Sequence, residues 1–104
     1  MKLEWQSASP SLMTWYQAMT YADSLGENWR LPTRSELLYA FDAELLNRKE
    51  NENSWKPEDY WSASTFDCQE DQAWQVRFYL GTWSPIERES KSSLNMVKLC
   101  RGEA

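Results

Sequence analysis

Three carboxylates, Asp67, Glu70 and Asp71, fall within five residues. Clustered acids of this kind suit a hard cation such as calcium, which takes oxygen ligands. A loop acid run is ordinarily solvated instead, so no metal is assigned. The only thiols are Cys68 and Cys100, and the chain has no histidine. A Cys/His zinc site therefore cannot be assembled, and Ser-His-Asp or Cys-His devices are excluded. Without a nearby base, Ser62 and Ser64 read as hydrogen-bonding residues rather than nucleophiles. Arg30, between Trp29 and Leu31, reads as a donor that satisfies loop carbonyls. No catalytic residue and no cofactor is expected.

Aromatic rings offer a different chemistry. Seven Trp, five Tyr and three Phe in 104 residues are more than solubility calls for, so rings fill the core and part of the surface. Trp29, Trp61 and Trp74 are read as scaffold. Trp55, Phe66, Tyr79 and Trp83 lie in loop-like stretches or on the polar side of a strand. Exposed together, and edged by Glu58, Asp59, Asp67, Glu70 and Asp71, they have the composition of a protein-binding hot spot with a polar rim. A protein partner is the leading expectation. A glycan, stacked on exposed Trp and Tyr, is the alternative.

The bulk properties narrow the field further. Sixteen acidic residues against eleven basic ones give a net charge of −5, which disfavours nucleic-acid phosphates because that binding needs clustered Lys and Arg. The length suits one small domain over residues 1–104. Residues 1–7 contain no apolar run of signal-peptide length, and no stretch approaches the roughly twenty apolar residues of a membrane span. Two cysteines do not make the Cys-dense pattern of a small secreted scaffold. A cytoplasmic protein without membrane contact is the expectation.

These side chains must be positioned by a small set of elements. Leu3 and Trp5 flank Glu4 in a short alternation that reads as an edge strand. Thr14 with Gln17 forms a capping box ahead of Trp15, Ala18, Met19, Ala22 and Leu25, and Gly26 stops that helix. Thr33 with Glu36 forms a second box, after Pro32 has kept Trp29 to Leu31 extended, so a second helix starts near Arg34. Residues 42–59 carry six acids and three bases and read as a charged loop with a frayed helical turn. Tyr60 to Ser64 reads as a strand. Trp74, Val76, Phe78 and Leu80 alternate with Gln75, Arg77 and Tyr79, the pattern of a half-buried strand ending at Gly81. A polar hairpin-like stretch, Ile86 to Ser93, leads into a final apolar strand from Leu94 to Cys100. The order predicts an α+β fold with two helices packed on a small twisted antiparallel sheet and a long loop region.

The segments Trp15 to Ala18, Trp29-Arg30-Leu31-Pro32-Thr33 running on to Leu37, Tyr60 to Thr65, Ala73 to Phe78 and Val97 to Arg101 together resemble the Lcl-type domain, also called domain of unknown function 1566. That family is a bacterial and phage relative of the C-type lectin-like and formylglycine-generating-enzyme folds, so the resemblance implies a C-type lectin-like architecture. Family members often carry a cysteine after the first helix and another in the last strand. Ala22 and Leu99 look like the corresponding positions here, with Cys100 displaced by one residue and so facing the other way. Losing both is what a reducing cytoplasm permits. Cys68 and Cys100 do not fall in the enzyme family's thiol motif, and the calcium and sugar motifs of true C-type lectins are missing. The resemblance thus implies a non-enzymatic binding module, which through the family's distribution could be a phage- or prophage-encoded intracellular factor such as an inhibitor of a host defence complex.

Overall fold

The computed structural model describes residues 2–9, 11–47, 58–78 and 86–103. The elements run β1 (Lys2–Trp5), α1 (Trp15–Leu25), α2 (Arg34–Asn47), β2 (Asp59–Thr65), β3 (Gln72–Arg77), β4 (Ile86–Ser90) and β5 (Cys100–Glu103), an α+β architecture. Two antiparallel sheets form, one pairing β1 with β5 and one in the order β2-β3-β4.

Both helices start where the capping boxes place them. The Thr14 hydroxyl accepts from the Gln17 backbone N–H at 3.1 Å, and the Gln17 side chain accepts from the Thr14 N–H at 2.9 Å. At α2, Glu36 N–H donates to the Thr33 hydroxyl at 3.2 Å and Thr33 N–H to the Glu36 carboxylate at 2.8 Å. Each box satisfies donors that an α-helix leaves open at its first turn. Gly26 ends α1 at a φ of 63°, in the left-handed region where a side chain would be strained. The helix α2 runs to Asn47, past Asp42 where a loop is expected, because Asp42 to Asn47 is mostly Ala, Glu and Leu with nothing to break it. The rest of the expected loop, residues 48–57, lies outside the described residues, as do Trp55, Tyr79 and Trp83.

Strand alternation divides the core in two. Trp61 and Ala73 point to one face, where Ala18, Ala22, Leu31, Val97 and Leu99 join them. Tyr60 and Val76 point to the other, with Leu37, Ala40, Phe41, Phe78 and Met96. Successive residues of a strand face opposite sides, so neighbours 60 and 61 must serve different clusters. The Trp61 indole donates to the Met13 carbonyl at 2.9 Å and the Trp15 indole to the Ser62 carbonyl at 3.0 Å, tying the start of α1 to β2. Only the small residues of α1, Ala18 and Ala22, are buried; Met19 and Leu25, expected on the same face, are 38% and 39% exposed.

Two strand expectations are corrected. β3 ends at Arg77, and Gln75, expected on the polar side, is 1% exposed because its side-chain oxygen accepts from the Asn95 amide at 2.6 Å. Regular pairing at the C-terminus begins only at Cys100. Residues 95–100 are all buried, yet Asn95, Met96, Val97, Leu99 and Cys100 exchange backbone hydrogen bonds with different neighbours. Asn95 meets Met13, Met96 meets Asp59 and Trp61, Val97 meets Ser9, Leu99 meets Gln6, and Cys100 meets Arg30. Buried amides must be satisfied, but a strand that changes partner at almost every residue builds no ladder.

Candidate functional site

The expected site residues separate into two groups. Glu58 and Asp59 stand at the start of β2, where Asp59 pairs in register with Arg77. Phe66, Asp67, Glu70 and Asp71 form the turn from β2 to β3, at the far end of a strand of 7 residues, roughly 20 Å away. They do not make one continuous rim.

At the first end, Arg77 pairs with Asp59 at 3.5 Å and with Glu87 on β4. Burial pushes the Asp59 carboxyl above its ordinary value, and Arg77 opposes that shift only in part. This is a cross-strand ion triad that holds β2, β3 and β4 in register.

At the second end, Phe66 lies edge-on to Trp74 with ring centroids 5.3 Å apart. The Arg34 guanidinium sits 4.9 Å over Trp74, and Arg88 sits 4.6 Å over Phe66. Trp74, expected in the core, is therefore a half-buried ring of an alternating cation and aromatic ladder. Its strand neighbours Ala73 and Gln75 point into the core on the opposite face. Trp29 is likewise half-buried, with Arg101 4.3 Å over its ring. Only Trp61 of the three scaffold tryptophans is sealed, at 0% exposure.

Glu70 and Asp71 meet side chains that sequence reasoning did not single out. With Tyr16, Thr65 and Lys91 they line a recess of about 530 Å³. Tyr16 also borders a second concavity of about 550 Å³, lined by Ser11, Leu12, Met13, Gln17, Thr20, Tyr21 and Ser24. Leu12 and Tyr16 are about half exposed, and the Met13–Asn95 bridge brings the exposed Leu94 alongside Thr14. The exposed face of α1 mixes large apolar side chains, Tyr16, Met19 and Leu25, with Gln17, Thr20, Asp23 and Ser24, and Tyr16 borders the charged recess. Its partial signal in the sequence is Met19 and Tyr16 on a helix whose buried face is already supplied by Ala18 and Ala22. Among the described residues, no group of three or more His, Cys, Asp or Glu is placed to hold a metal ion.

A third cluster is structural. Glu36, 5% exposed, takes both Arg30 nitrogens at 2.7 and 2.8 Å, and Arg30 also donates to the carbonyls of Leu31 and Gly102. The expected carbonyl-satisfying role of Arg30 is present, with a carboxylate added. The Arg30 hydrogen bond holds Glu36 below the usual carboxylate range. Burial pushes the adjacent Cys100 thiol up to about 11, whereas Cys68 is exposed, and neither forms a disulfide. A thiolate-specific reagent should modify one thiol per native chain, at Cys68, and both after denaturation; rapid modification of Cys100 in the native protein would contradict the packing.

A family model described as the Lcl C-terminal domain matches residues 1–101. No curated protein matches the chain. The matched span takes in every segment that carries the resemblance, from Trp15 to Ala18 through Val97 to Arg101, and the chain belongs to the Lcl C-terminal domain family.

Proposed function

We propose that this domain is a non-enzymatic binding module that recognises a protein partner through the exposed face of α1 and the β2–β3 turn beside it. The observation that carries this reading is a set of large apolar side chains left in solvent, Leu12 and Tyr16 along one concavity and Met19 on the same helix as Tyr16, with Tyr16 also bordering the recess lined by Glu70, Asp71 and Lys91. An apolar strip rimmed by charge is the surface form of a protein interface, and tyrosine is among the residues enriched there. Charge complementarity selects the partner's chemistry. A chain of net charge −5, with exposed Asp67, Glu70 and Asp71 at one end of the strip, favours a partner that sets basic side chains beside an apolar anchor. A bacterial cytoplasmic setting, with a host defence complex as target, belongs to this reading and would be decided by the partner's identity.

The test is affinity capture with the tagged domain beside a Leu12→Ser/Met19→Ser variant, followed by sizing of the reconstituted complex. Both side chains are exposed, so the variant should keep its circular dichroism and melting temperature. A partner that forms a defined complex with the native domain and is lost in the variant supports the reading. A partner retained equally by both, or a saturable response to a glycan panel with no protein bound, overturns it.

A further inference from the structure

The arginines of this domain divide by what they pair with. Arg30, Arg77 and Arg101 each hold a carboxylate. Arg34 and Arg88 are exposed, and among the described residues no carboxylate lies within ion-pair distance of either, although the chain has sixteen acids to eleven bases. Both are nonetheless fixed in place. Arg34 opens α2, where its backbone N–H donates to the Ser64 hydroxyl at 3.1 Å and its guanidinium lies over Trp74. Arg88 stands opposite Trp74 in the β3–β4 register and lies over Phe66. The Phe66 and Trp74 rings between them are half-buried. Trp74 alternates with Ala73, which belongs to the cluster that holds α1, so this ladder is on the other side of the sheet from the α1 surface and does not depend on it.

Arg101 supplies the complete arrangement for comparison. Its guanidinium lies 4.3 Å over Trp29 and at the same time donates from Nε and a terminal nitrogen to Glu4, at 3.2 and 3.0 Å. A guanidinium held on a ring thus keeps its planar fork for a carboxylate, and at Arg34 and Arg88 that carboxylate is the missing part. We infer that the ladder docks an extended acidic segment of a protein, which sets one carboxylate on Arg34, one on Arg88 and an apolar side chain on the rings between. The separations along the ladder, 4.9, 5.3 and 4.6 Å, keep the two guanidinium groups within roughly 15 Å, and residues i, i+2 and i+4 of an extended chain cover about 13 Å on one side. The exposed Asp67, Glu70 and Asp71 of the adjoining turn repel a continuous polyanion such as nucleic acid, whereas two separate carboxylates meet one cation each.

The test titrates the labelled protein with acetyl-Glu-Ser-Leu-Ser-Glu-amide and follows the Trp74 indole N–H and the amides of Arg34, Phe66 and Arg88 by NMR. The neutral acetyl-Gln-Ser-Leu-Ser-Gln-amide and inorganic phosphate, at equal ionic strength, are the controls. Saturable shifts at those positions with the acidic peptide alone are expected, with an affinity that falls as salt is added. Binding should weaken by about tenfold or more in Arg34→Gln/Arg88→Gln. Both side chains are exposed, so that variant should keep its circular dichroism and melting temperature. Arg34→Lys/Arg88→Lys keeps the charge but loses the planar fork, and should bind less tightly than the native protein. Absence of saturable shifts, equal binding of the neutral peptide or of phosphate, or an affinity unchanged in the glutamine or the lysine variant overturns the inference.

Discussion

Trp61→Ala is expected to cost about 4 kcal/mol of folding stability, in the upper range for truncation of a buried aromatic. The ring is fully buried, and it forms one core cluster with the small residues of α1, with Leu31 and with Val97 and Leu99 of the C-terminal segment. Truncation opens a cavity where those elements meet, and the neighbours are too well tied to collapse into it. The Met13 carbonyl also loses the indole donor that helps pin the start of α1 to β2. Against a total stability of about 5–15 kcal/mol for a natural domain, such a loss leaves a substantial unfolded fraction at 37 °C. Urea unfolding followed by circular dichroism measures it. Trp61→Phe keeps one aromatic ring and removes the donor; because the Met13 carbonyl keeps the Asn95 N–H, it should cost about 0.5–1.5 kcal/mol more than the lost area alone. A Trp61→Ala protein as stable as the native one would contradict a sealed Trp61 packed among Ala18, Ala22, Leu31, Val97 and Leu99.

Glu36→Ala is expected to be the next most damaging change, at about 3 kcal/mol. Two losses combine. The side-chain half of the α2 capping box is lost while the backbone bond to the Thr33 hydroxyl stays, a cost of about 1 kcal/mol, and Arg30 loses a bidentate, charge-assisted partner, where hydrogen bonds to charged groups are worth about 1.5–3 kcal/mol. The Arg30 side chain is 38% exposed, so water takes up part of the pair's worth and the sum stays at the lower end. Glu36→Gln keeps the volume and one acceptor and should lose less.

The same residue sets a pH signature. The folded state depresses the Glu36 pKa below its ordinary 4.5, so its contribution is present above that value and is lost as pH falls through the lower, folded-state value. Asp59 works in the opposite sense. Its folded-state pKa is raised above 3.8, so protonation favours the folded form and stability from this group grows as pH falls through that window. The native protein's decline below pH 4.5 should therefore be shallower than Glu36 alone would give, and the gap between native and Glu36→Gln proteins should narrow from pH 7 to pH 3. Urea midpoints at the two pH values read this directly. A gap that widens on acidification would show that the carboxylate is not held by Arg30.

The parts legible in the sequence are those whose reason lies within a few residues. Thr14 with Gln17 and Thr33 with Glu36 announce the two helices because a capping box closes over three residues, and Gly26 marks a stop because only its own φ is at issue. The strand over Tyr60 to Ser64 was equally readable, and a pleated strand presents neighbours to opposite faces whatever surrounds it. The strand expected over Leu94–Cys100 was not there in that form. Its apolar composition reported burial correctly, but burial between many partners and burial in a ladder look alike as a string of residues.

The binding surface shows the same division. Glu70 and Asp71 stood out as acids in a turn, but nothing local indicates that Lys91 would share their recess. Its place depends on the turn after β4 packing against the start of α1, which brings its ammonium over Trp15. Likewise Gln75 reads as a solvent-facing strand residue until Asn95 arrives from the C-terminal segment to satisfy it. The residues themselves decided the helix starts and the exclusion of histidine chemistry, because those follow from hydrogen bonds that close within a turn and from which side chains exist at all. Tertiary packing alone decided which charges stay unpaired and which rings stay wet, because a contact between distant segments is set by what the whole core excludes from water.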